Sequence, residues 1–144
     1  MNEIVHTDWI GKMMFDSEID GRTIHFDVEE QLGGTQSGYR PKPLVLSALA
    51  ACTGMDVVSI LGKKQVIFTT IRISADGELA EEQPKIYRKI HLVFFFTGPD
   101  FSDNEEIMIK VNRAVRLSLD KYCAVSGMLK NSCEITDEII LLNS

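Results

Sequence analysis

The sequence predicts an α+β fold, in which strands paired as hairpins form an antiparallel sheet and two main helices lie on one side of it. Residues 22–29 alternate apolar and polar side chains, which is the period of a strand with one buried face. The apolar segment 44–61 is too long for a strand and has the length of a buried helix. With the segments described below, the order of elements is β-β-α-β-β-α-α-β. Strands grouped in pairs between helices are typical of the α+β class.

The first two strands are expected to form a hairpin. An extended segment at 12–19 is followed by Asp20-Gly21 and then by the strand at 22–29. An Asp-Gly pair between two such segments is a strong signal for a tight hairpin turn. Residues 31–42 are rich in glycine and proline and predict a loop.

The segment 44–61 is expected to be the central helix. Pro43 suits the first turn of a helix, where its missing N–H costs no hydrogen bond, and Gly62 is expected to cap the end. The segment is apolar nearly all round, which predicts burial on every side. Asp56 within it argues against a membrane span. Because such a helix is long for a chain of 144 residues, a second copy is expected to shield it.

The second half of the chain is expected to supply three strands and two helices. Periodicity places strands at 66–75, 85–96 and 134–142, and helices at 102–119 and 122–129. Asp76-Gly77 predicts a turn after the first of these strands. Ser102 and Glu105 have the spacing of a capping box, which predicts the start of the first helix.

The composition indicates one globular domain, residues 1–144. Hydrophobic residues make up 44% of the chain and charged residues 25%, a balance typical of folded proteins. The net charge of −6 argues against a general nucleic-acid or anionic-membrane surface. The N-terminus has no signal-peptide pattern, so a cytoplasmic location is expected. In a reducing cytoplasm the three cysteines are expected to be free or catalytic.

Cys52 and Cys123 are the residues on which any chemistry is expected to rest. Cys52, Asp56 and Ser59 lie at i, i+4 and i+7, so a polar stripe follows one side of the apolar helix. Buried polar groups need partners, and the stripe therefore predicts a partner or a cavity beside it. The alternative for both thiols is simple packing in the core, as for many free cysteines, and spacing alone does not decide whether they meet. Cys133 is interpreted as structural.

Neither a metal site nor a bound cofactor is expected. The sequence contains no CxxC and no HExxH pattern, and its three histidines are isolated. It also lacks a glycine-rich phosphate loop with GxGxxG spacing.

Two segments resemble the cysteine motifs of the OsmC/Ohr family. Residues 41–61, PKPLVLSALAACTGMDVVSIL, resemble the family's first cysteine helix. Within the family they are most similar to the YhfA-like branch, where Cys-Thr-x-x-Asp-Val-Val-x-Ile-Leu is typical. Residues 114–129, AVRLSLDKYCAVSGML, resemble the second cysteine motif. The motifs occur in the family's order, and the resemblance covers residues 12–142.

The resemblance implies an intertwined homodimer and a thiol peroxidase that reduces organic hydroperoxides. By this resemblance, Cys52 attacks the peroxide and Cys123 resolves the resulting sulfenic acid to a disulfide. An external dithiol of the lipoyl type would reduce that disulfide, and neither nucleic acid nor membrane is an implied partner. In the family an arginine activates the first thiol, and the candidates here are Arg22 and Arg40.

One position departs from the family's pattern. The family has Pro-x-Glu-Leu before the cysteine helix, with the glutamate holding the arginine, whereas residues 41–44 are PKPL and place Pro43 at that position. Glu29 and Glu30 are the candidates to replace the glutamate. The departure favours an alternative function, a binding or redox-sensing protein that keeps the fold and both thiols without efficient peroxidase activity.

Overall fold

The computed structural model describes residues 1–144, which form six strands and three α-helices. In chain order these are β1 (His6–Gly11), β2 (Met14–Ile19), β3 (Arg22–Phe26), α1 (Pro41–Lys63), β4 (Thr70–Leu79), β5 (Tyr87–Gly98), α2 (Glu105–Leu117), α3 (Ala124–Leu129) and β6 (Glu134–Asn143). A 3-10 turn covers Glu30–Leu32 and a π-helical turn covers Ser118–Tyr122. The chain forms two compact units, Met1–Val45 and Leu46–Ser144. The single domain 1–144 stays a prediction.

The N-terminal unit contains an antiparallel sheet in the order β1-β2-β3. The predicted hairpin is confirmed, because Asp20 and Gly21 connect β2 to β3 with φ values of 49° and 74°. Positive φ at both central residues is the requirement of a type I′ turn. Strand β1 was not predicted, because His6–Gly11 is largely polar and does not alternate.

A buried carboxylate fixes the loop that follows this sheet. Asp27 is 1% exposed and accepts hydrogen bonds from the Thr35 hydroxyl at 2.6 Å, the Ser37 amide at 3.0 Å and the Val28 amide at 2.8 Å. These bonds, that of Thr35 first, hold the pKa of Asp27 well below its usual range. A Cβ at Gly34 would lie 1.9 Å from the Val28 carbonyl oxygen, so the loop requires glycine there.

The C-terminal unit contains a second sheet in the order β4-β5-β6, which corrects the prediction of a purely antiparallel sheet. Strands β4 and β5 are antiparallel, but β5 and β6 are parallel. A parallel pair needs a long crossover connection, and the segment containing α2 and α3 supplies it. The α+β class is confirmed, with two three-stranded sheets in place of one sheet.

The core of the C-terminal unit packs against one face of its sheet. The alternation within residues 85–96 predicts that Ile86, Ile90, Leu92, Phe94 and Phe96 share one buried face. The last four are fully buried as predicted, but Ile86 precedes β5 and is 46% exposed. The other buried apolar residues come mainly from the helices and the segments beside them: Leu49, Val57, Leu61, Val66, Phe101, Val111, Ala114, Val115 and Leu119.

Three predicted element ends are wrong. Asp76-Gly77 lies inside β4, where Gly77 leaves room for the ring of Tyr87. The cap of α2 is Asn104, whose side chain accepts a hydrogen bond from the Ile107 amide at 3.1 Å. Gly62 does not end α1, which continues to Lys63.

Within this one chain, helix α1 is buried along one face only, and its expected shielding by a second copy stays a prediction. Only Leu49, Thr53, Val57 and Leu61, one residue per turn, are fully buried. On other sides Met55 is 72% exposed and Val58 46% exposed, so the chain leaves these sides of the helix uncovered. By length and composition alone α1 could cross a membrane, with a mean hydropathy of 2.0 over its most apolar window. Core helices of folded proteins meet the same criterion, so this is weak evidence.

Candidate active site

Cys52 lies on α1 directly beside its buried stripe. The side chain is half-buried and packs against the core, whereas the neighbouring Thr53 is fully buried. Gly54 allows β4 to approach closely, because a Cβ there would lie 2.9 Å from Cδ1 of Ile73. The helix therefore presents a thiol at the border between the core and the accessible surface.

Cys123 caps α3 and follows the π-helical turn Ser118–Tyr122. Its amide donates to the Ser118 carbonyl at 2.8 Å, a bond that spans five residues. Its sulfur accepts a hydrogen bond from the Ser126 amide at 3.3 Å. Single π-helical turns are frequent at functional sites, and apolar periodicity gives no signal for this one.

The structure brings the Cys52 and Cys123 thiols together. Cys123 is only 5% exposed, and burial is the main reason that its pKa rises from 9.0 to about 11. A hydrogen-bonding contact with the Cys52 thiol, the charge of Cys52 and the charge of Asp56 raise it further, while the Ser126 amide opposes the rise. All three cysteines of the chain are free. The two thiols are therefore neighbours in reduced form.

A chain of hydrogen bonds runs beside the two thiols. The Ser118 hydroxyl donates to Oδ2 of Asp56 at 2.8 Å and lies 2.8 Å from the Thr53 hydroxyl. Because Ser118 has one hydroxyl proton and uses it on Asp56, Thr53 is the donor to Ser118. The partner that the polar stripe predicts for Asp56 is therefore Ser118, which sequence reasoning did not single out.

Two cavities border this part of α1. One, of about 540 Å³, is lined by Asp56, Ser59, Ile60, Lys63, Lys64, Leu117 and Tyr122. The other, of about 510 Å³, is lined by Ala50, Ala51, Gly54, Met55, Val58, Ser59, Ile71 and Ile73. The second is almost entirely apolar and could accommodate an alkyl group.

The two candidate arginines both belong to the N-terminal unit. Arg22 is exposed and donates to the Asp20 carbonyl at 3.4 Å beside the hairpin turn. Arg40 is exposed and directly precedes α1. Their role at Cys52 stays a prediction.

Cys133 does not belong to the Cys52–Cys123 pair. It is 8% exposed, lies in the core cluster just before β6, and burial raises its pKa. Its environment agrees with a structural role.

Comparison with known proteins identifies the class to which this fold and thiol pair belong. The profile of the family described as OsmC-like protein matches residues 34–138. The chain therefore belongs to the OsmC-like family, which confirms the resemblance seen in the sequence.

Individual relatives agree with this assignment. Protein YhfA of Escherichia coli K12 is 38% identical over 107 residues, which are 73% of this chain and 76% of YhfA. A solved structure described as a hypothetical protein from Aquifex aeolicus has 27% identity and a TM-score of 0.84, and covers 100% of this chain and 98% of its own. The organic hydroperoxide resistance protein OhrB of Bacillus subtilis has 18% identity and a TM-score of 0.64, with 97% and 98% covered, and shares the fold.

Proposed function

We propose that this protein reduces organic hydroperoxides with Cys52 as the attacking thiol and Cys123 as the resolving thiol. The observation that carries the proposal is the contact between these two free thiols, which are distant in sequence. A resolving thiol must lie beside the sulfenic acid that it attacks. The proposal is supported by membership of a family in which some structural neighbours are named organic hydroperoxide resistance proteins.

The environments of the two thiols support this order of reaction. A thiol with a pKa of about 11 is almost wholly protonated at neutral pH, so Cys123 is a poor first nucleophile. The more exposed Cys52 is the one a substrate can reach. The contact with Cys52 raises the pKa of Cys123, which is the effect expected when Cys123 keeps its proton and donates to the Cys52 sulfur. Such a donor stabilises negative charge on Cys52.

The reaction balances in three steps. The Cys52 thiolate attacks the peroxide, the O–O bond breaks, and the products are the Cys52 sulfenic acid and an alcohol, with one proton taken up by the alkoxide. Cys123 then attacks the Cys52 sulfur, and the S–O bond breaks to release water, which takes up the Cys123 proton. A dithiol such as a lipoyl group finally reduces the disulfide and becomes a disulfide itself.

The same proposal includes a homodimer. The apolar side chains on the uncovered face of α1 include Met55 and Val58, and exposed apolar patches of this kind mark interaction sites. A second copy covering this face would bury it and enclose the apolar cavity of about 510 Å³ beside Gly54. An enclosed apolar wall favours an alkyl hydroperoxide over hydrogen peroxide.

Consumption of hydroperoxide by the purified protein tests the proposal. With a dithiol reductant, wild type is expected to consume an alkyl hydroperoxide faster than hydrogen peroxide, and Cys52→Ser is expected to consume neither. Cys133→Ser is the matched control, because it removes a thiol outside the pair and should keep activity. A folded wild type without turnover, or turnover that survives in Cys52→Ser, would contradict the proposal.

One observation favours a second candidate function. Pro43 occupies the position of the family's glutamate, and no lysine, arginine or histidine of residues 46–144 forms a hydrogen bond with either thiol. A protein of this kind could form the Cys52–Cys123 disulfide slowly and serve as a redox sensor. Oxidation of both thiols by peroxide at a stoichiometric level, without turnover, would support this alternative.

A further inference from the structure

Ser118 connects the helix that carries Cys52 to the segment that carries Cys123. Its hydroxyl is bonded to Thr53 and Asp56 on α1, the residues next to Cys52 and one turn beyond it. Its carbonyl accepts the amide of Cys123. Ser118 is therefore hydrogen-bonded to both segments beside the thiol pair, to α1 through its hydroxyl and to Cys123 through its carbonyl.

We propose that Ser118, held by Thr53 and Asp56, is a positioning residue that keeps Cys123 against Cys52 and thereby sets how readily the two thiols form a disulfide. The inference rests on the proposed function only in requiring that this disulfide forms. It adds a residue outside the thiol pair and outside the candidate arginines.

The burial of the Thr53 and Ser118 hydroxyls makes their hydrogen bonds a stable link between α1 and the Cys123 segment. Thr53 and Ser118 are both fully buried, so water cannot replace a lost partner. A buried hydroxyl that loses its partner keeps the full penalty of desolvation, and a bond to a carboxylate is stronger than one between neutral groups. The arrangement is therefore a stable link between the two segments.

The π-helical turn makes this link important for Cys123. A disulfide requires the two sulfurs in a narrow range of distance and dihedral angle. Cys123 lies at the end of a five-residue turn, and its amide depends on the carbonyl of Ser118. If Ser118 is free to move, Cys123 samples more positions and its effective concentration toward Cys52 falls.

Equilibration with glutathione tests the inference without any peroxide. In this reaction the two thiols and one oxidised glutathione give the Cys52–Cys123 disulfide and two reduced glutathione molecules. Ser118→Ala and Thr53→Val are each expected to lower the equilibrium constant about tenfold, a shift of about 30 mV toward easier reduction. Valine has nearly the shape of threonine but lacks its hydroxyl. Thr53→Ser keeps the hydroxyl and is expected to remain within about twofold of wild type.

Ser126→Ala is the matched control for loss of a buried serine hydroxyl. Ser126 is 2% exposed and donates to the Leu119 carbonyl at 3.2 Å, within the Cys123 segment and without a bond to α1. Ser126→Ala keeps the hydrogen bond from the Ser126 amide to the Cys123 sulfur, and it is expected to lower stability to urea without shifting the glutathione equilibrium. If Ser118→Ala does not fold, Thr53→Val decides the question.

Three results would overturn the inference. Thr53→Val with the equilibrium of wild type would show that the hydroxyl chain does not position Cys123. A shift in Ser126→Ala as large as that in Thr53→Val would show that only loosening of the Cys123 segment matters. Wild type that forms no Cys52–Cys123 disulfide with glutathione would overturn both this inference and the proposed function. Failure of the inference alone is recognised by a wild type that forms the disulfide normally.

Discussion

The raised pKa of Cys123 predicts how its alkylation depends on pH. Burial and the Cys52 contact bring that pKa from 9.0 to about 11. The thiolate is the reactive form, so at neutral pH Cys123 should contain about 100-fold less of it than an ordinary cysteine. Cys52→Ala removes the contact and the charge of Cys52 but leaves burial in place. The pKa of Cys123 is therefore expected to fall in that variant and to remain above 9.0.

The measurement is alkylation of the reduced protein by iodoacetamide from about pH 7 to pH 11, with circular dichroism to confirm folding. Cleavage after lysine and arginine places the three cysteines on different peptides, so each rate is read separately. Cys133 is the internal control, because it is similarly buried but burial alone raises its pKa. The Cys123 profile should move to lower pH in Cys52→Ala while the Cys133 profile stays fixed.

Two outcomes would refute this reasoning. A wild-type Cys123 profile that levels off below pH 9.0 would mean that the thiol is not held protonated. A profile that is unchanged by Cys52→Ala would mean that the two thiols do not influence each other. The second outcome would also remove the observation on which the proposed function depends.

Three further predictions concern the dimer, the arginines and the N-terminal loop. Light scattering should show that the wild type is a dimer and that Met55→Glu on α1 dissociates it. Ile109→Glu, on α2 and similarly exposed, is the control and should leave the dimer intact. A monomeric wild type would contradict this prediction. If an arginine activates Cys52, either Arg22→Ala or Arg40→Ala should slow Cys52 alkylation at neutral pH about tenfold, with the other variant as control. The lowered pKa of Asp27 means that its ionised form stabilises the fold above about pH 4 and that this contribution is lost as the pH falls. Urea unfolding of wild type and Asp27→Asn should therefore differ most near neutral pH and converge in acid.

Much of the fold follows from local patterns in the sequence. The hairpin at Asp20-Gly21 and the buried face of β5 are confirmed, because turn chemistry and period two act over a few residues. Strand β1 was missed because His6–Gly11 does not alternate apolar and polar residues, and the parallel pairing of β6 was missed because it joins strands distant in sequence. Composition indicates that α1 is apolar but does not reveal how many sides of the helix one chain covers, and burial of the remaining face by a second copy stays a prediction.

The candidate site was predictable only in part. The polar stripe of Cys52 and Asp56 indicated that a partner must exist, and the structure supplies Ser118. The meeting of Cys52 with Cys123 follows from the resemblance and not from spacing. Ser118 gave no signal of its own, because a serine near the end of a helix is ordinary and its importance comes from the π-helical turn.

The charges around the thiols connect the proposed activity to the proposed assembly. Asp56 adds negative charge near the pair, and no cation of residues 46–144 forms a hydrogen bond with either thiol. We therefore propose that a cation from outside this unit, either from the N-terminal unit or from a second copy on the uncovered face of α1, supports fast attack by a Cys52 thiolate. The Cys52–Cys123 disulfide, by contrast, uses groups that all lie within residues 46–144. If the cation comes from a second copy, Met55→Glu should abolish hydroperoxide turnover and still form the disulfide with glutathione.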